Sequence, residues 1–193
     1  MNDLAKILDV RVVHEGWSKF MVADVRLADG TKVSRQIEDH GAAIVILPYD
    51  PVRRTVMLVR LLRPAALYAA GVRELIEAVA GIIDAGETPE ITARREAMEE
   101  AGLKLGELEA LAQVWASPGI STERMSLFLA PYGAADRVAN GGGLEVEHEG
   151  ITVLEMPAAQ AWAMLERGEI ADMKTLALLY ALKLRRPDMF SPS

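Results

Sequence analysis

The sequence predicts an α+β protein, because strand-like and helix-like segments follow one another in blocks. Several segments rich in Val, Ile and Leu come first, and the turn residues at 28–31 separate two of them. A helix with clear signals at both ends covers 89–101, more short strands follow, and two amphipathic helices end the chain. This order of strands, helix, strands and helices is typical of a mixed α and β fold.

The first forty residues predict a small antiparallel β-sheet. Its three strands are expected at 7–13, 18–27 and 32–38. A layer of this size is marginally stable at best by itself, so we expect it to pack on the main domain or on a second subunit. We therefore divide the chain into an N-terminal β-subdomain, 1–40, and a main domain, 41–193.

The main domain contains most of the predicted strands and all of the predicted helices. The strands are expected at 42–49, 55–62, 73–80, 105–115, 124–131 and 150–156, and the helices at 89–101, 157–167 and 172–186. The first of these helices has the clearest bounds. Thr88 suits the N-cap, and Pro89 suits the first helical position. Gly102 can adopt the left-handed conformation that ends a helix.

The composition excludes several classes of protein. The net charge of -7 argues against a nucleic-acid-binding protein, which would need a basic surface to meet phosphates. The chain has no cysteine, so disulfides, thiolate metal sites and cysteine nucleophiles are excluded. The N-terminus lacks the apolar core of a signal peptide, and the longest apolar run, near 42–47, is too short to cross a bilayer. We expect a cytoplasmic protein with no nucleic-acid or membrane partner.

Three glutamates lie within five residues of one predicted helix. Residues three and four apart share a helix face, so Glu96, Glu99 and Glu100 can reach one site. Like charges this close are unfavourable unless a cation lies among them, and oxygen ligands suit Mg²⁺ or Mn²⁺ better than zinc. Arg95 lies four residues before Glu99 and can pair with it, and it can also reach Glu87 in the preceding loop. The alternative is a solvated acidic helix face.

The spacing of residues 81–103 favours a metal site over that alternative. It resembles the Nudix box, Gly-x5-Glu-x7-Arg-Glu-U-x-Glu-Glu-x-Gly-U, in which U is a bulky aliphatic residue. The positions that fit are Gly81, Glu87, Arg95, Glu96, Glu99, Glu100, Gly102 and Leu103. Ala97, at the first U position, is smaller than the pattern's residue, and we expect this to affect packing rather than catalysis. The sequence beyond the box resembles the same family.

This resemblance implies a fold, an activity and a set of ligands. The fold is a mixed β-sheet sandwiched between α-helices, and the activity is Mg²⁺-dependent hydrolysis of nucleoside diphosphates linked to another group. Glu96, Glu99 and Glu100 resemble the family's metal-binding carboxylates, and the backbone carbonyl of Ala80 resembles a further metal ligand. We also count Glu100 and Arg95 among the catalytic residues. The metal would neutralise pyrophosphate charge and lower the pKa of a bound water.

Within the family, the chain resembles the nucleoside diphosphate sugar hydrolases, and two branches compete. Ser117, Pro118 and Gly119 resemble the ADP-ribose pyrophosphatases, whereas segments 141–149 and 168–175 resemble the GDP-mannose hydrolases. We expect a nucleoside diphosphate sugar of the ADP-ribose type as the substrate, with GDP-mannose as the alternative. The rival from another class is a non-catalytic Nudix-fold nucleotide-binding module. The complete set of box carboxylates argues against that rival.

Both branches carry an essential glutamate in the loop before a late strand. Here that loop follows the glycine run at 141–143 and contains Glu145, Glu147 and Glu149. Glu149 is expected to be the general base because of its distance from the strand at 150–156, and Glu147 is the alternative. The competing interpretation is an acidic loop that is merely solvated.

Further candidates for substrate binding lie outside the box. Arg60 and Arg63 end a strand, where their guanidinium groups could hold phosphate or sugar oxygens or could be surface charges. Glu77 could support the metal-binding turn or pair with an arginine. We count these three residues, with 117–119, as substrate-binding candidates. Trp115 could stack on a nucleobase or lie in the core. By resemblance to related sugar hydrolases, the N-terminal strands are expected to form a homodimer.

Overall fold

The structure is a computed structural model that describes residues 4–144 and 150–191. Contacts within the chain divide it into two units. The first unit contains residues 1–42 and 114–125, and the second contains residues 43–113 and 126–193. The first unit therefore includes a segment from the middle of the chain. The predicted domains, a dimerising β-subdomain at 1–40 and a hydrolase domain at 41–193, stay a prediction.

The first unit contains a three-stranded antiparallel sheet in the order β1-β2-β3. Its strands are β1 (Lys6–Glu15), β2 (Lys19–Arg26) and β3 (Lys32–Asp39). The segment 114–125 runs beside β3: the Glu38 N–H donates to the Ile120 carbonyl over 2.8 Å, and the Thr122 N–H donates to the Glu38 carbonyl over 3.0 Å. The prediction of a small N-terminal antiparallel sheet is confirmed.

All ten residues of β1 are exposed within the single chain. Among its apolar side chains, Ile7 is 62% exposed, Val12 is 53% exposed and Val13 is 59% exposed. Several exposed apolar side chains on one strand are a common feature of a surface that binds a partner.

The second unit contains most of a seven-stranded mixed sheet. Its strands are β4 (Ala43–Asp50), β5 (Thr55–Leu62), β6 (Glu74–Glu77), β7 (Val79–Ile82), β8 (Glu109–Trp115), β9 (Arg124–Pro131) and β10 (Thr152–Pro157). The helices are α1 (Pro64–Ala70), α2 (Pro89–Ala101), α3 (Ala158–Glu166) and α4 (Met173–Arg185). Five strands follow the order β10-β5-β4-β9-β8, with β6 paired to β5 and β7 paired to β4. The predicted α+β class is confirmed. No helix in the described ranges is long and apolar enough to span a membrane.

The core of the second unit forms where α2 packs on β4, β5 and β7. Ala93, Ala97 and Ala101 follow one another at four-residue spacing, so they share one face of α2, and all three are fully buried. Ile44 and Ile46 of β4 belong to the same core cluster. Ala97, the one small residue at an aliphatic box position, therefore lies in the contact between helix and sheet.

Three details of the secondary structure differ from the prediction. Helix α1 is absent from the prediction, because its seven residues are too few to show an amphipathic pattern. Pro64 at its first position and Gly71 after its last, with a φ of 70°, are the signals that mark it. The predicted strand at 73–80 is two strands, since the chain changes partner at Ala78. The strand β8 begins at Glu109 rather than at residue 105.

Candidate active site

Both ends of α2 are capped, and the helix packs on β7. The Thr88 side chain accepts a hydrogen bond from the Ile91 N–H at the start of the helix. Gly102 follows the last residue with a φ of 67°, and a Cβ there would stand 2.2 Å from the Ala139 carbonyl oxygen. Both the backbone conformation and the space around it therefore require glycine at this end.

The backbone at Ala80 and Gly81 lies against two of the α2 carboxylates. The Ala80 N–H donates to Glu100 Oε2 over 3.2 Å, and Glu100 is only 4% exposed. A Cβ added to Gly81 would stand 1.8 Å from Glu96 Oε1. Glycine at this position therefore lets the Glu96 carboxylate approach the strand.

Arg95 binds three box carboxylates with one guanidinium group. Its Nη1 donates to Glu96 Oε1 over 2.8 Å and to Glu99 Oε2 over 3.1 Å. Its Nε and Nη2 donate to Glu87 over 3.2 Å and 3.1 Å, and Nη2 also donates to the Ile82 carbonyl over 3.2 Å. The expected contacts of Arg95 with Glu99 and Glu87 are both present. They hold the loop before α2 to the helix.

These contacts shift the pKa values of the groups involved. The hydrogen bonds with Glu87, the charge of Glu96 and the hydrogen bond with Glu99 outweigh burial and raise the pKa of Arg95, so its guanidinium stays protonated. Hydrogen bonds from Arg95 and then Thr92 lower the pKa of Glu87. Thr92 is fully buried and its Oγ1 donates to Glu87 Oε2 over 2.6 Å. Thr92 is not among the predicted site residues, although its position three residues before Arg95 places both on one helix face.

The glycine run at 141–143 lies against the C-terminal end of α2. The Gly142 N–H donates to the Glu100 carbonyl over 2.8 Å, and the Gly143 N–H donates to the Glu99 carbonyl over 3.0 Å. Carbonyls in the last turn of a helix have no partner within the helix, so these amides satisfy them. The run therefore begins the following loop beside the turn that carries two of the box carboxylates.

The general base predicted in that following loop is outside the part of the chain that the structure describes. Glu149 and its alternative Glu147 belong to residues 145–149, as does Glu145. The described chain ends at Leu144 and resumes at Gly150, just before β10. The role of these glutamates therefore stays a prediction.

Glu77, at the end of β6, is buried in a cluster of charged groups. The Arg63 Nε and Nη2 donate to its two carboxylate oxygens over 2.8 Å and 2.9 Å, and Lys174 of α4 also donates to it. Burial alone would raise the pKa of Glu77, but the hydrogen bonds from Arg63 and the charge of Lys174 outweigh it and lower the pKa. Glu77 thus pairs with an arginine, as one of the two predicted alternatives has it. Lys174 is not among the predicted site residues.

Arg60 makes a looser contact than Arg63. Its Nε lies 3.5 Å from Glu74 Oε2, and its side chain is 43% exposed. The roles of Arg60, Arg63 and Glu77 in substrate binding stay predictions.

Comparison with known proteins agrees with this geometry. The family model described as the NUDIX domain matches residues 39–179. The chain belongs to the Nudix hydrolase family. It is 40% identical over 164 residues to a GDP-mannose pyrophosphatase of Escherichia coli O1:K1, which covers 83% of this chain and 84% of that protein. It is 38% identical over 183 residues to a GDP-mannose pyrophosphatase of Klebsiella pneumoniae, which covers 92% of this chain and 90% of that protein.

A solved structure shares the fold of this Nudix chain. The crystal structure of an ADP compounds hydrolase matches it with a TM-score of 0.77, over 97% of each chain and at 18% sequence identity. A likeness at this identity shows the fold alone. The predicted Nudix fold, a mixed sheet sandwiched between helices, is confirmed.

Nudix hydrolases generally use a divalent metal. The box residues of this chain offer oxygen atoms of the kind that such a metal binds, and these atoms lie near one another. Among residues 4–144 and 150–191, no group of three or more Asp, Glu, His or Cys side chains is arranged to hold a metal. Glu96 and Glu99 contact Arg95, and Glu100 contacts the Ala80 amide. These donors are nevertheless carboxylate oxygens on one helix face, beside strand carbonyls, and hard divalent cations prefer oxygen ligands. Because Gly81 has no side chain, the Glu96 carboxylate can lie close to the backbone carbonyls of β7. The residues therefore fit a divalent cation.

The remaining predicted substrate-binding residues, Ser117, Pro118 and Gly119, lie in the first unit of this Nudix protein. Pro118 and Gly119 line a cavity of about 360 Å³ together with Trp115. Trp115 is 53% exposed, and the Arg124 guanidinium carbon lies 5.4 Å from its ring centre. The core placement considered for Trp115 is therefore wrong, and the substrate roles of 117–119 stay predictions.

Proposed function

We propose that this Nudix hydrolase is a Mg²⁺-dependent pyrophosphatase of nucleoside diphosphate sugars and that GDP-mannose is its substrate. Water adds across the phosphoanhydride bond, so the products are GMP and mannose 1-phosphate. The observation that carries the proposal is the 38% to 40% identity to GDP-mannose pyrophosphatases over at least 83% of the chain. This likeness favours the GDP-mannose alternative over the ADP-ribose type.

We assign the metal-binding role to the Ala80 carbonyl and to the carboxylates of Glu96, Glu99 and Glu100. Mg²⁺ takes oxygen ligands and keeps several waters, and Mn²⁺ shares this preference. When bound, the metal neutralises charge on the pyrophosphate oxygens and lowers the pKa of a coordinated water. Arg95 supports the site, because one guanidinium fixes two of the three carboxylates on the same side of α2.

The attacking water also needs a group that takes its proton. Glu149 is our candidate for this general base, and Glu147 is the alternative. The glycine run supports a base in this loop, because its amides bind the carbonyls of Glu99 and Glu100 and thereby start the loop beside the carboxylates.

Arg60 and Arg63 are our candidates for contacts with the phosphate or sugar oxygens of the substrate. Their side chains are 43% and 42% exposed. Arg63 is held by two hydrogen bonds to a buried carboxylate, whereas Arg60 makes one longer contact to an exposed carboxylate. Arg60 can therefore turn to a ligand with less loss of existing interactions.

A panel of nucleotide sugars tests the proposed substrate. We expect hydrolysis only with Mg²⁺ or Mn²⁺, and a kcat/KM for GDP-mannose at least about tenfold above that for ADP-ribose and UDP-glucose. A higher kcat/KM for ADP-ribose would assign the chain to the other branch. If metal-loaded protein binds nucleotide sugars and cleaves none of them, the non-catalytic binding module replaces the enzyme.

We further propose that the protein is a homodimer that forms through β1. The apolar side chains of this strand that are exposed within the single chain support the proposal, since burying them against a second subunit would remove them from water.

A further inference from the structure

The chain changes partner strand at Ala78. β6 ends at Glu77, which pairs with Val59 of β5, and β7 begins at Val79, which pairs with Ile46 of β4. Ala78 lies between the two ladders and is 1% exposed. A buried backbone N–H between two strand pairings needs another hydrogen-bond acceptor. Without one, the N–H would be removed from water with no partner, which costs free energy.

A threonine in the first turn of α4 supplies that acceptor. The Ala78 N–H donates to Thr175 Oγ1 over 2.7 Å, and Thr175 is fully buried. The Thr175 hydroxyl donates its hydrogen to Asp172 Oδ2 over 2.5 Å, and the same oxygen accepts from the Thr175 N–H over 2.9 Å. A hydroxyl has one hydrogen, so its use by Asp172 turns a lone pair towards Ala78. The cap of α4 and the strand crossing thus form one hydrogen-bonded unit.

The residue before the crossing is also held by the first turn of α4. Glu77 accepts from Lys174, whose Nζ also donates to Asp172 Oδ1 over 2.8 Å. On its other side Glu77 is held bidentately by Arg63. Two successive residues, Glu77 and Ala78, therefore contact α4. These contacts fix the position at which the chain stops pairing with β5 and starts pairing with β4.

Two residues after the crossing, the same strand reaches the proposed metal-binding face. The Ala80 N–H donates to Glu100 Oε2 over 3.2 Å, and the Ala80 carbonyl is the proposed ligand. At a rise of about 3.3 Å per residue, Ala80 lies about 7 Å from Ala78 along the strand, with no loop between them. A shift of Ala78 is therefore carried to Ala80 and Gly81, where a single Cβ would overlap the Glu96 side chain.

We propose that Thr175, oriented by Asp172, is a positioning residue for the metal site. By binding the Ala78 amide it sets the position at which β7 presents the Ala80 carbonyl to the α2 carboxylates. Groups that orient metal ligands typically contribute about 10- to 100-fold to metal affinity or activity. The inference rests on the proposed metal-binding role of Ala80.

Thr175→Val tests the inference, because valine is close to threonine in shape and lacks the hydroxyl. We expect the Mn²⁺ affinity of the free protein, measured by electron paramagnetic resonance, to fall about tenfold or more, and kcat for GDP-mannose to fall more than KM rises. Thr175→Ser keeps the hydroxyl and restores both quantities. Thr55→Val is the matched control: it removes a hydroxyl that lies 3.3 Å from Tyr132 Oη at the far end of β5, and it leaves both unchanged.

Hydrogen exchange at the Ala78 amide shows whether the bond is lost, and we expect faster exchange in Thr175→Val than in Thr55→Val. A folded Thr175→Val protein with wild-type Mn²⁺ affinity and kcat would overturn the proposal. If Thr175→Val does not fold, Asp172→Ala takes its place, since it removes the oxygen that accepts from the hydroxyl and orients it, although the helix cap is lost as well. Wild-type Mn²⁺ affinity in that variant would equally overturn it. A wild-type protein that binds no Mn²⁺ would instead remove the proposed metal site itself.

Discussion

Among single residues, Arg95 does most to balance the charge on α2. Three carboxylates on one helix face repel one another unless positive charge lies among them. The Arg95 guanidinium contacts Glu96 and Glu99 and ties both to Glu87, whereas Glu100 lies against the backbone of β7. Arg95 therefore holds the carboxylate face in place, and the metal that we propose for this face would supply the charge that remains to be balanced.

Replacing Glu149 tests the proposed general base. Glutamine keeps the size of the side chain and cannot take a proton in the same way, so we expect Glu149→Gln to lower kcat about a hundredfold or more. Its Mn²⁺ affinity should match that of the wild type. Glu145→Gln is a control in the same loop and should keep a near-normal kcat. A wild-type kcat in Glu149→Gln would exclude this residue as the base, and a large loss in Glu147→Gln would assign the role there.

His40 makes the stability of the first unit depend on pH. Its Nδ1 lies 2.7 Å from Glu38 Oε1, and its Nε2 lies 3.4 Å from Glu123 Oε1. Burial alone would lower the pKa of His40, but the hydrogen bond and charge of Glu38 and the charge of Glu123 outweigh it and raise the pKa. A raised pKa in the folded state stabilises the fold below the unfolded pKa, and this contribution is lost as the pH rises through the folded pKa.

The comparison of wild type with His40→Gln checks this dependence. We expect the wild type to exceed the variant in free energy of unfolding by more at about pH 5.5 than at about pH 8.5, on either side of the ordinary histidine pKa of about 6.5. Urea unfolding at the two pH values measures the difference. An equal difference at both values would show that the charge on His40 does not stabilise the fold.

At the scale of elements, the contact between the glycine run and α2 is a fixed part of the structure. Gly141 has a φ of 71°, and a Cβ there would stand 2.4 Å from the Glu100 carbonyl oxygen. Gly168 has a similar φ of 76°, and a Cβ there would meet nothing within 4 Å. Substitutions at Gly141 and Gly168 therefore distinguish two contributions to the loss of stability: the left-handed backbone conformation, which both share, and the overlap with the Glu100 carbonyl, which occurs at Gly141.

We expect Gly168→Ala to lower the free energy of unfolding by roughly 1–2 kcal/mol, the usual cost of a left-handed conformation for alanine. Gly141→Ala should lose clearly more, because the Cβ also pushes against a helix carbonyl, and its kcat should fall as the loop moves off α2. Urea unfolding and kinetics of the two variants measure both effects. Equal losses of stability would mean that the close approach is not important.

The elements that the sequence predicts well are those with local signals. Thr88, Pro89 and Gly102 act on the backbone within a few residues, and the bounds of α2 agree with them. The break in the strand at Ala78 could not be predicted, because it depends on a hydrogen bond to Thr175, which lies 97 residues later. The alternation of side chains along 73–80 does not indicate where the chain changes from one partner strand to another.

At the scale of the whole molecule, β1 is the surface that we propose for binding a second subunit. We expect the wild type to be a dimer by light scattering, because its apolar side chains lie exposed in the single chain. Val12→Asp should give a monomer, since a carboxylate would be buried in the interface. Val52→Asp, at a residue that is 89% exposed in the second unit, is the matched control and should stay dimeric. A monomeric wild type, or a dimeric Val12→Asp, would contradict the proposed interface.

In the candidate site, the sequence predicts contacts between residues that lie in the same short segment, and it does not predict contacts between distant segments. The box spacing leads to the partners of Arg95, since all of them lie within one loop and one helix. For Glu77 the sequence left two interpretations, because Arg63 lies 14 residues away, and Lys174 could not be foreseen at a separation of 97 residues. The two alternatives for Trp115 stay open in the sequence for a similar reason: the exposure of this side chain depends on distant packing, which the pattern of its own strand does not determine.

Phosphorus NMR of GDP-mannose hydrolysis tests the central claim, that the carboxylate face of α2 binds the metal that the reaction requires. With Mg²⁺, we expect the wild type to convert the pyrophosphate signals into those of GMP and mannose 1-phosphate, and Glu100→Gln to do so at least about a hundredfold more slowly. Circular dichroism should show that the variant is folded. A folded Glu100→Gln protein that cleaves GDP-mannose at the wild-type rate would contradict the claim.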